Sequence, residues 1–208
     1  MPALAHAAEA ALRDVANDAA RCQRCPLYKL GTQTVFGSGP PDAPVMMVGE
    51  QPGDVEDREG LPFVGPAGRM LDRALEAAGL RRDRIYVTNA VKHFKHVLSR
   101  GKRRIHQKPN AYEIDRCKWW LDLELDIIKP ELTVALGGTA LRALAGRPIT
   151  IKSVRGEVLR TADGRNMLVT IHPSSILRLR ESESRAAELA RFADDLRKVG
   201  RLVPAVRM

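Results

Sequence analysis

Short runs of apolar residues alternate along the chain with longer segments in which apolar residues recur every three or four positions. Four apolar runs predict buried strands, at residues 45–48, 85–88, 132–136 and 167–171. The helical spacing predicts five helices, at residues 3–20, 66–80, 112–128, 139–145 and 181–199. Strands that alternate with helices are typical of βαβ units, so we expect an α/β fold with a parallel sheet covered by helices on both faces.

Side chains suited to polar chemistry follow three of the four predicted strands. The run Gly49-Glu50-Gln51-Pro52-Gly53 follows the first strand, Asn89 follows the second, and His172-Pro173-Ser174-Ser175 follows the fourth. Ligands of parallel α/β sheets bind beyond the carboxyl ends of the strands, where these segments meet. An acid, two amides and a histidine on one rim make a better candidate active site than any one of them alone.

Composition is that of a globular protein, and we expect one domain over residues 1–208. The chain is 44% hydrophobic and 28% charged, which argues against disorder. No apolar run is long enough to cross a bilayer, and the N-terminal segment lacks the pattern of a signal peptide. Three cysteines cannot all pair with one another, so we expect a reducing, cytoplasmic location and no membrane.

Positive charge is in excess and is concentrated in one segment. The formal net charge is +9, which favours nucleic acid as the partner. Residues 92–108 carry seven lysines and arginines and no acid, and we expect a basic loop insertion at about 94–108 that lies along a phosphate backbone. His106 lies within this loop, where cationic neighbours favour the neutral, nucleophilic imidazole.

The three cysteines suggest a metal site. Cys22 and Cys25 form a C-x-x-C pair, Cys117 is distant in sequence, and His93 or His96 is a candidate fourth ligand. Such a set suits structural zinc or an iron–sulfur cluster, and the spacing does not separate the two. A redox pair is less favoured because this C-x-x-C ends a helix and does not follow a strand. Cys117 as a buried small apolar residue is the plain alternative.

Four segments taken together resemble the uracil-DNA glycosylase superfamily near its family 4 branch. They are residues 49–53, Pro62-Phe63-Val64-Gly65-Pro66-Ala67-Gly68, Val87-Thr88-Asn89 and residues 172–175. Gln51 and the loop Lys102-Arg103-Arg104-Ile105-His106 resemble more closely the UdgX group of that superfamily. The resemblance spans about residues 20–200. It implies a three-layer α/β/α sandwich with a four-stranded parallel sheet.

The resemblance also implies a cofactor and a partner. The cofactor is a [4Fe–4S] cluster held by Cys22, Cys25, His93 and Cys117. Family 4 has a cysteine where this chain has His93, so His96 remains a second possibility for the fourth ligand. The implied partner is uracil-containing DNA, with single strands favoured, bound by a monomer.

The implied roles of the rim residues follow from the chemistry of uracil. Asn89 can accept from N3–H and donate to O4, and cytosine reverses that pattern. Phe63 stacks on the base, and His172 donates to O2 as negative charge develops on the leaving base. The resemblance implies that Glu50 and Gln51 face C1′ of the sugar. The remaining substrate-binding residues belong to the two turns: Gly49, Pro52, Gly53, Ser174 and Ser175.

The narrower resemblance implies that His106 captures C1′ and remains covalently attached to the abasic site, in a single turnover. Arg104 would orient His106 or contact phosphate, and Glu50 would position His106 or stabilise the sugar cation. Two alternatives stay open. One is a conventional multiple-turnover family 4-like glycosylase. The other is a non-catalytic, metal-stabilised DNA-binding module, which an acid facing phosphates disfavours.

Overall fold

The computed structural model describes residues 2–100 and 103–208. Its strands are β1 Val45–Gly49, β2 Ile85–Asn89, β3 His96–Leu98, β4 Arg104–His106, β5 Leu132–Leu136, β6 Val158–Arg160 and β7 Asn166–Thr170. Its α-helices are α1 Pro2–Ala19, α2 Asp54–Glu59, α3 Pro66–Ala77, α4 Ala111–Ile128, α5 Gly138–Ala145, α6 Ile151–Val154, α7 Pro173–Leu177 and α8 Ser182–Leu202. Three short 3-10 turns lie at Pro26–Lys29, Arg82–Arg84 and Pro204–Val206.

The main sheet has five strands in the order β2-β1-β5-β7-β6. The four predicted strands are present and mutually parallel. The expectation of a four-stranded sheet is corrected by β6, which pairs antiparallel with β7 at the edge. With only three residues, two of them exposed, β6 lacks the buried apolar run by which the other strands are recognised.

Helices cover both faces of the sheet, which explains why the parallel strands are apolar at successive positions. In β1, Met46 and Val48 pack into one core, while Val45 and Met47 pack into the other. The first core also contains residues of α4 and α5, and the second contains residues of α3, α7 and α8. The result is the expected three layers of helix, sheet and helix.

Two of the helices that flank the sheet, α3 and α4, begin at residues with a clear physical role. Asn110 caps α4 by accepting a hydrogen bond from the Glu113 N–H at 2.9 Å, and the Glu113 carboxylate accepts from the Asn110 N–H at 2.7 Å. This reciprocal pair satisfies two of the N–H groups that a helix start leaves unpaired. Pro66 occupies the first turn of α3, where its missing N–H costs nothing.

The basic segment, expected to be a loop, instead contains an antiparallel hairpin. β3 pairs with β4 in the register His96↔His106, Val97↔Ile105 and Leu98↔Arg104. Gly101 and Lys102, both within the predicted insertion at about 94–108, lie outside the described residues. Because side chains alternate across a strand, His96, Arg104 and His106 share one face of the hairpin. Among the described helices, none is both long enough and apolar enough to cross a membrane.

Candidate active site

A cleft of about 780 Å³ opens at the carboxyl ends of the parallel strands. The predicted site residues that line it are Glu50, Gln51, Gly53, Phe63, Asn89, His106, His172, Ser174 and Ser175. Arg104, Gly49 and Pro52, which were predicted with them, do not line the cleft. The register Gly49↔Asn89 brings the ends of β1 and β2 side by side, so residues far apart in sequence converge as predicted.

Two glycines make the tight corner of this cleft possible. A Cβ on Gly49 would lie 2.4 Å from Asn89 Oδ1 and 2.7 Å from Phe63 Cζ, and a Cβ on Gly68 would lie 1.7 Å from the Phe63 carbonyl oxygen. Phe63 itself has a φ of 57°, which non-glycine residues rarely adopt. Gly49 therefore contributes to the site by leaving room for the Phe63 ring beside the Asn89 amide.

Asn89 presents an amide to the cleft from a buried position. The residue is 3% exposed, and its side chain makes no hydrogen bond to any residue that the structure describes. Its main chain continues into a turn that is tied to the end of β1, since the Ala90 and Val91 N–H groups donate to the Gly49 and Glu50 carbonyls at 3.0 Å. A buried amide without a protein partner is a recognition group for a polar ligand.

Glu50 is held between two donors. Its Oε1 lies 3.2 Å from His106 Nε2, and its Oε2 accepts from Thr139 Oγ1 at 2.5 Å. Burial raises the pKa of Glu50, but the hydrogen bonds from His106 and Thr139 outweigh it and leave the pKa below its usual value. Glu50 is therefore a carboxylate at neutral pH, beside the His106 ring. Thr139, in the first turn of α5, was not predicted as a site residue.

His172 is neutral and oriented. Burial lowers its pKa to about 4, although the nearby Glu50 charge acts in the opposite direction. The Ser174 N–H donates to Nδ1 at 3.2 Å, and Ser174 Oγ lies 2.8 Å from the same nitrogen. With Nδ1 accepting, the proton of the neutral ring sits on Nε2. His172 thus offers the cleft an uncharged N–H donor, with the Phe63 ring 6.2 Å away.

Gln51, predicted as catalytic, uses its amide to hold the hairpin. Its Nε2 donates to the Lys95 carbonyl at 3.2 Å and to the Gln107 carbonyl at 3.1 Å, and its Oε1 accepts from the Lys95 N–H at 3.1 Å. Lys95 precedes β3 and Gln107 follows β4. Because all three contacts go to the base of the hairpin, Gln51 acts on the cleft by positioning the strand that carries His106.

Arg104 also holds the hairpin, from outside the cleft. Its guanidinium forms ion pairs with Asp54 and Asp57 of α2 and donates to Thr32 Oγ1 at 3.0 Å. Its charge is therefore matched by carboxylates of the same chain, and the two predicted roles, to orient His106 or to contact phosphate, stay predictions. Asp54 and Asp57 were missed in the sequence, although Asp54 follows the glycine-rich turn directly.

One buried ring supports the same face of the hairpin. Phe94 stacks on His96 with ring centroids 5.0 Å apart, lies 6.2 Å from the His106 ring, and has the Arg104 guanidinium 5.4 Å from its centroid. His96, the second candidate for a metal ligand, is thus packed against Phe94 within the hairpin.

The cations of the basic segment divide into two groups. Lys92, Lys95 and Arg104 are in ion pairs with carboxylates of the same chain. Arg100, Arg103 and Lys108 are exposed. The latter three, among the residues described, remain available for a phosphate backbone. Part of the positive charge of this segment is therefore neutralised by carboxylates of the same chain. The sequence did not reveal this pairing.

Two of the predicted cofactor ligands, Cys22 and Cys117, accept hydrogen bonds from N–H groups at their sulfur atoms. The Lys92 N–H donates to Cys117 Sγ at 3.1 Å, and Trp120 Nε1 donates to Cys22 Sγ at 3.1 Å. His93 is buried, with Nε2 3.2 Å from Thr34 Oγ1. Within residues 2–100 and 103–208, no three His, Cys, Asp or Glu side chains converge on a point that could hold a metal ion.

Three thiols and one imidazole nevertheless suit an iron–sulfur cluster in donor type. Such a cluster takes each ligand at a different iron atom, so its ligands need not converge on one point as those of a single ion do. N–H donors to sulfur are the kind of outer contact that stabilises a bound thiolate.

Comparison with known proteins gives a consistent result. A family model described as the uracil DNA glycosylase superfamily matches residues 36–197. The chain is 37% identical over 166 residues to the type-4 uracil-DNA glycosylase of Thermotoga maritima, covering 79% of this chain and 82% of the relative. It is 31% identical over 201 residues to that of Archaeoglobus fulgidus, covering 92% of each. A type-5 uracil-DNA glycosylase of Pyrobaculum aerophilum is 30% identical over 196 residues, covering 78% and 82%.

Proposed function

The chain belongs to the uracil-DNA glycosylase superfamily, and from this membership we propose that it excises uracil from DNA as a family 4-like glycosylase. The observation that carries the proposal is the buried Asn89 amide, which faces the cleft next to the Phe63 ring. A flat base would stack on the ring and present its polar edge to the amide.

Uracil fits this arrangement better than cytosine does. The Asn89 oxygen accepts from N3–H of uracil, and its NH₂ group donates to O4. Cytosine offers an acceptor at N3 and a donor at C4, so both contacts would become unfavourable in a buried site. The base must be extruded from the stack or be taken from a single strand to reach the cleft.

We assign cleavage of the bond between C1′ and N1 of uracil to two other groups of the cleft, His172 and Glu50. The bonding electron pair leaves on uracil, and the neutral His172 donates to O2 as negative charge develops there. The Glu50 carboxylate faces the sugar and stabilises the positive charge at C1′. Water then adds to C1′, and the proton that it releases neutralises the uracil anion.

The DNA strand would lie across the rim of the cleft. Ser174 and Ser175, at the start of α7, and Arg178 at its end line the cleft and would contact phosphates. We propose single-stranded DNA as the preferred substrate, because it needs no base pair to be opened. The whole chain, residues 1–208, would act as one domain and as a monomer.

The test of this proposal is release of free uracil. Wild-type protein is incubated with a single-stranded oligonucleotide that contains one uracil, and the released base is quantified by mass spectrometry. Oligonucleotides with cytosine or thymine at the same position are the matched controls. We expect uracil release alone, and a protein that binds all three oligonucleotides equally without releasing a base would contradict the proposal.

The glycosylase relatives support conventional multiple turnover better than the covalent capture that a place in the UdgX group implies. One observation nevertheless favours capture as a second candidate, namely the His106 ring in the cleft with Nε2 3.2 Å from the Glu50 carboxylate. In that reaction an imidazole nitrogen bonds to C1′ as the bond to N1 breaks. Uracil leaves with the electron pair and takes a proton from solvent, while the ring proton passes to Glu50.

A denaturing gel separates the two candidates. Capture predicts a protein–DNA adduct that survives denaturation, at most one uracil released per protein, and no adduct with His106→Ala. Conventional turnover predicts many uracils per protein and no adduct. His96→Ala, at the residue paired with His106 across the hairpin, is the matched control and should leave the adduct unchanged.

For the cofactor, we propose that Cys22, Cys25, Cys117 and His93 would hold a [4Fe–4S] cluster. When bound, the cluster would brace the end of α1, the turn after β2, and α4 against one another. It would have no direct part in bond breaking. Protein purified without oxygen should absorb broadly in the visible and contain iron and acid-labile sulfide in equal amounts. A colourless protein with one zinc per chain would contradict the assignment.

A further inference from the structure

A buried ion pair lies directly behind the strand end that carries Asn89. Lys92 Nζ and Glu124 Oε2 are 2.5 Å apart, and neither side chain is exposed at all. Lys92 belongs to the turn after β2, and Glu124 lies on the inward side of α4. Neither residue lines the cleft, so neither has a direct part in the proposed chemistry.

The Lys92 ammonium group has three N–H donors, and each has an acceptor. These are Glu124 Oε2, Thr88 Oγ1 at 2.6 Å, and the main-chain carbonyl of Asn89 at 2.9 Å. The last contact fixes the peptide group of the residue whose amide faces the cleft. Rotation of that peptide would turn the amide away from a bound base, because the side chain moves with its own backbone.

The Glu124 carboxylate is anchored independently of Lys92. It accepts from Tyr86 OH at 3.0 Å, from Thr88 Oγ1 at 2.9 Å, and from the Gly37 N–H at 2.9 Å. A Cβ on Gly37 would lie 2.3 Å from this carboxylate, so the approach is close. The Lys92 ammonium group is therefore held against an anchored carboxylate on α4. Its hydrogen bond to the Asn89 carbonyl holds Asn89 in turn.

Stability alone is a poor explanation for such a pair. Removing two charges from water costs much of what their attraction returns, and apolar pairs of similar volume are often as stable. We propose that Lys92 and Glu124 position Asn89 for uracil recognition, which rests on the proposed function. In some proteins a buried polar or charged group specifies one geometry against close alternatives.

A double-mutant cycle with Asn89→Ala tests this proposal. Lys92→Met with Glu124→Gln gives a neutral pair that keeps oxygen and nitrogen atoms near Tyr86 and Thr88. We expect kcat/KM for uracil release to fall at least tenfold, and no further fall when the pair is changed in the Asn89→Ala background. Lys118→Met with Asp122→Asn is the matched control, since it removes an ion pair from the exposed side of the same helix.

Two results would overturn the proposal. One is unchanged kcat/KM in the neutral-pair variant. The other is a loss that is equally large with and without Asn89, which would mark a purely structural role. If the double variant does not fold, Glu124→Gln alone enters the same cycle, because it keeps the shape of the side chain. Absence of uracil release by the wild-type protein would instead refute the proposed function.

Discussion

The two walls of the cleft are built in different ways. The sheet wall consists of Glu50, Asn89 and His172, which follow or end parallel strands. The hairpin wall is the β3–β4 hairpin that carries His106. Asn89 is 3% exposed, whereas the His106 side chain is 49% exposed. The sheet wall rests on two apolar cores, and the hairpin wall is held mainly by polar contacts from Gln51, Asp54 and Asp57.

This difference indicates which wall is preorganised and which is adjustable. Positions on the sheet wall are fixed by buried strands, so a substitution there removes a chemical group and leaves the frame in place. The hairpin contacts few buried apolar residues, and segments of that kind open at low free-energy cost. Substitutions on the hairpin side should therefore change the opening of the hairpin more than the rate of uracil release.

The largest effect is expected on the sheet wall, at Asn89. Asn89→Ala leaves N3–H and O4 of uracil without partners in a buried site, and each unsatisfied group costs about 1–3 kcal/mol. We expect single-turnover uracil release to fall about 10³-fold, with the melting temperature nearly unchanged. A decrease of less than tenfold would show that the base is recognised elsewhere in the cleft.

The second prediction concerns stability and depends on His172. Its pKa of about 4 in the folded protein compares with about 6.5 in an unfolded chain. Between these values the unfolded state binds a proton that the folded state excludes, so the free energy of unfolding falls as pH drops from about 6.5 to about 4. The contribution is at most about 3 kcal/mol.

Urea unfolding at several pH values measures this effect. The matched variant His172→Asn should show a shallower decline across the same interval, because it lacks the titrating ring. Parallel curves for the two proteins would contradict the assignment of a neutral imidazole to the sheet wall.

The contrast between the walls also explains how far the sequence alone could lead. Glu50, Asn89 and His172 were predicted because buried parallel strands are recognisable as apolar runs and their carboxyl ends converge. The partners of the hairpin were not predictable in this way. These contacts of Gln51 with the hairpin and of Arg104 with α2 join residues that are 44 to 56 positions apart, and no periodic pattern encodes such pairs. Short elements such as α6 and β6 carry too few residues for a pattern to appear.

A third and smaller effect is expected where Gln51 holds the hairpin. Gln51→Met removes three hydrogen bonds to Lys95 and Gln107 while keeping a similar side-chain length. We expect amide hydrogen exchange of Ser99 and Gln107, whose N–H groups donate across the hairpin to the Arg103 and Lys95 carbonyls, to accelerate about tenfold, or roughly 1.4 kcal/mol. Amides of β1 should be unaffected.

Gln33→Met is the control for this variant, since Gln33 donates to two carbonyls of α2 and makes no described contact with the hairpin. Equal acceleration in both variants would mean that the hairpin is not held by Gln51. Uracil release should change by less than about threefold with Gln51→Met, because the sheet wall stays intact.

The smallest effect is expected from the exposed cations of the hairpin wall. Arg103 is exposed and makes no ion pair within the described part of the chain, so it is available to a phosphate, unlike Arg104. Arg103→Gln should lower the slope of log affinity against log salt by about 0.7 for single-stranded DNA, or about threefold between 50 and 200 mM salt. Arg21→Gln makes the same change in net charge at an exposed pair with Asp18 and should leave the slope unchanged. An equal decrease of the slope in both variants would mean that the affinity for DNA depends on net charge alone. The hairpin would then line the cleft without binding the DNA strand.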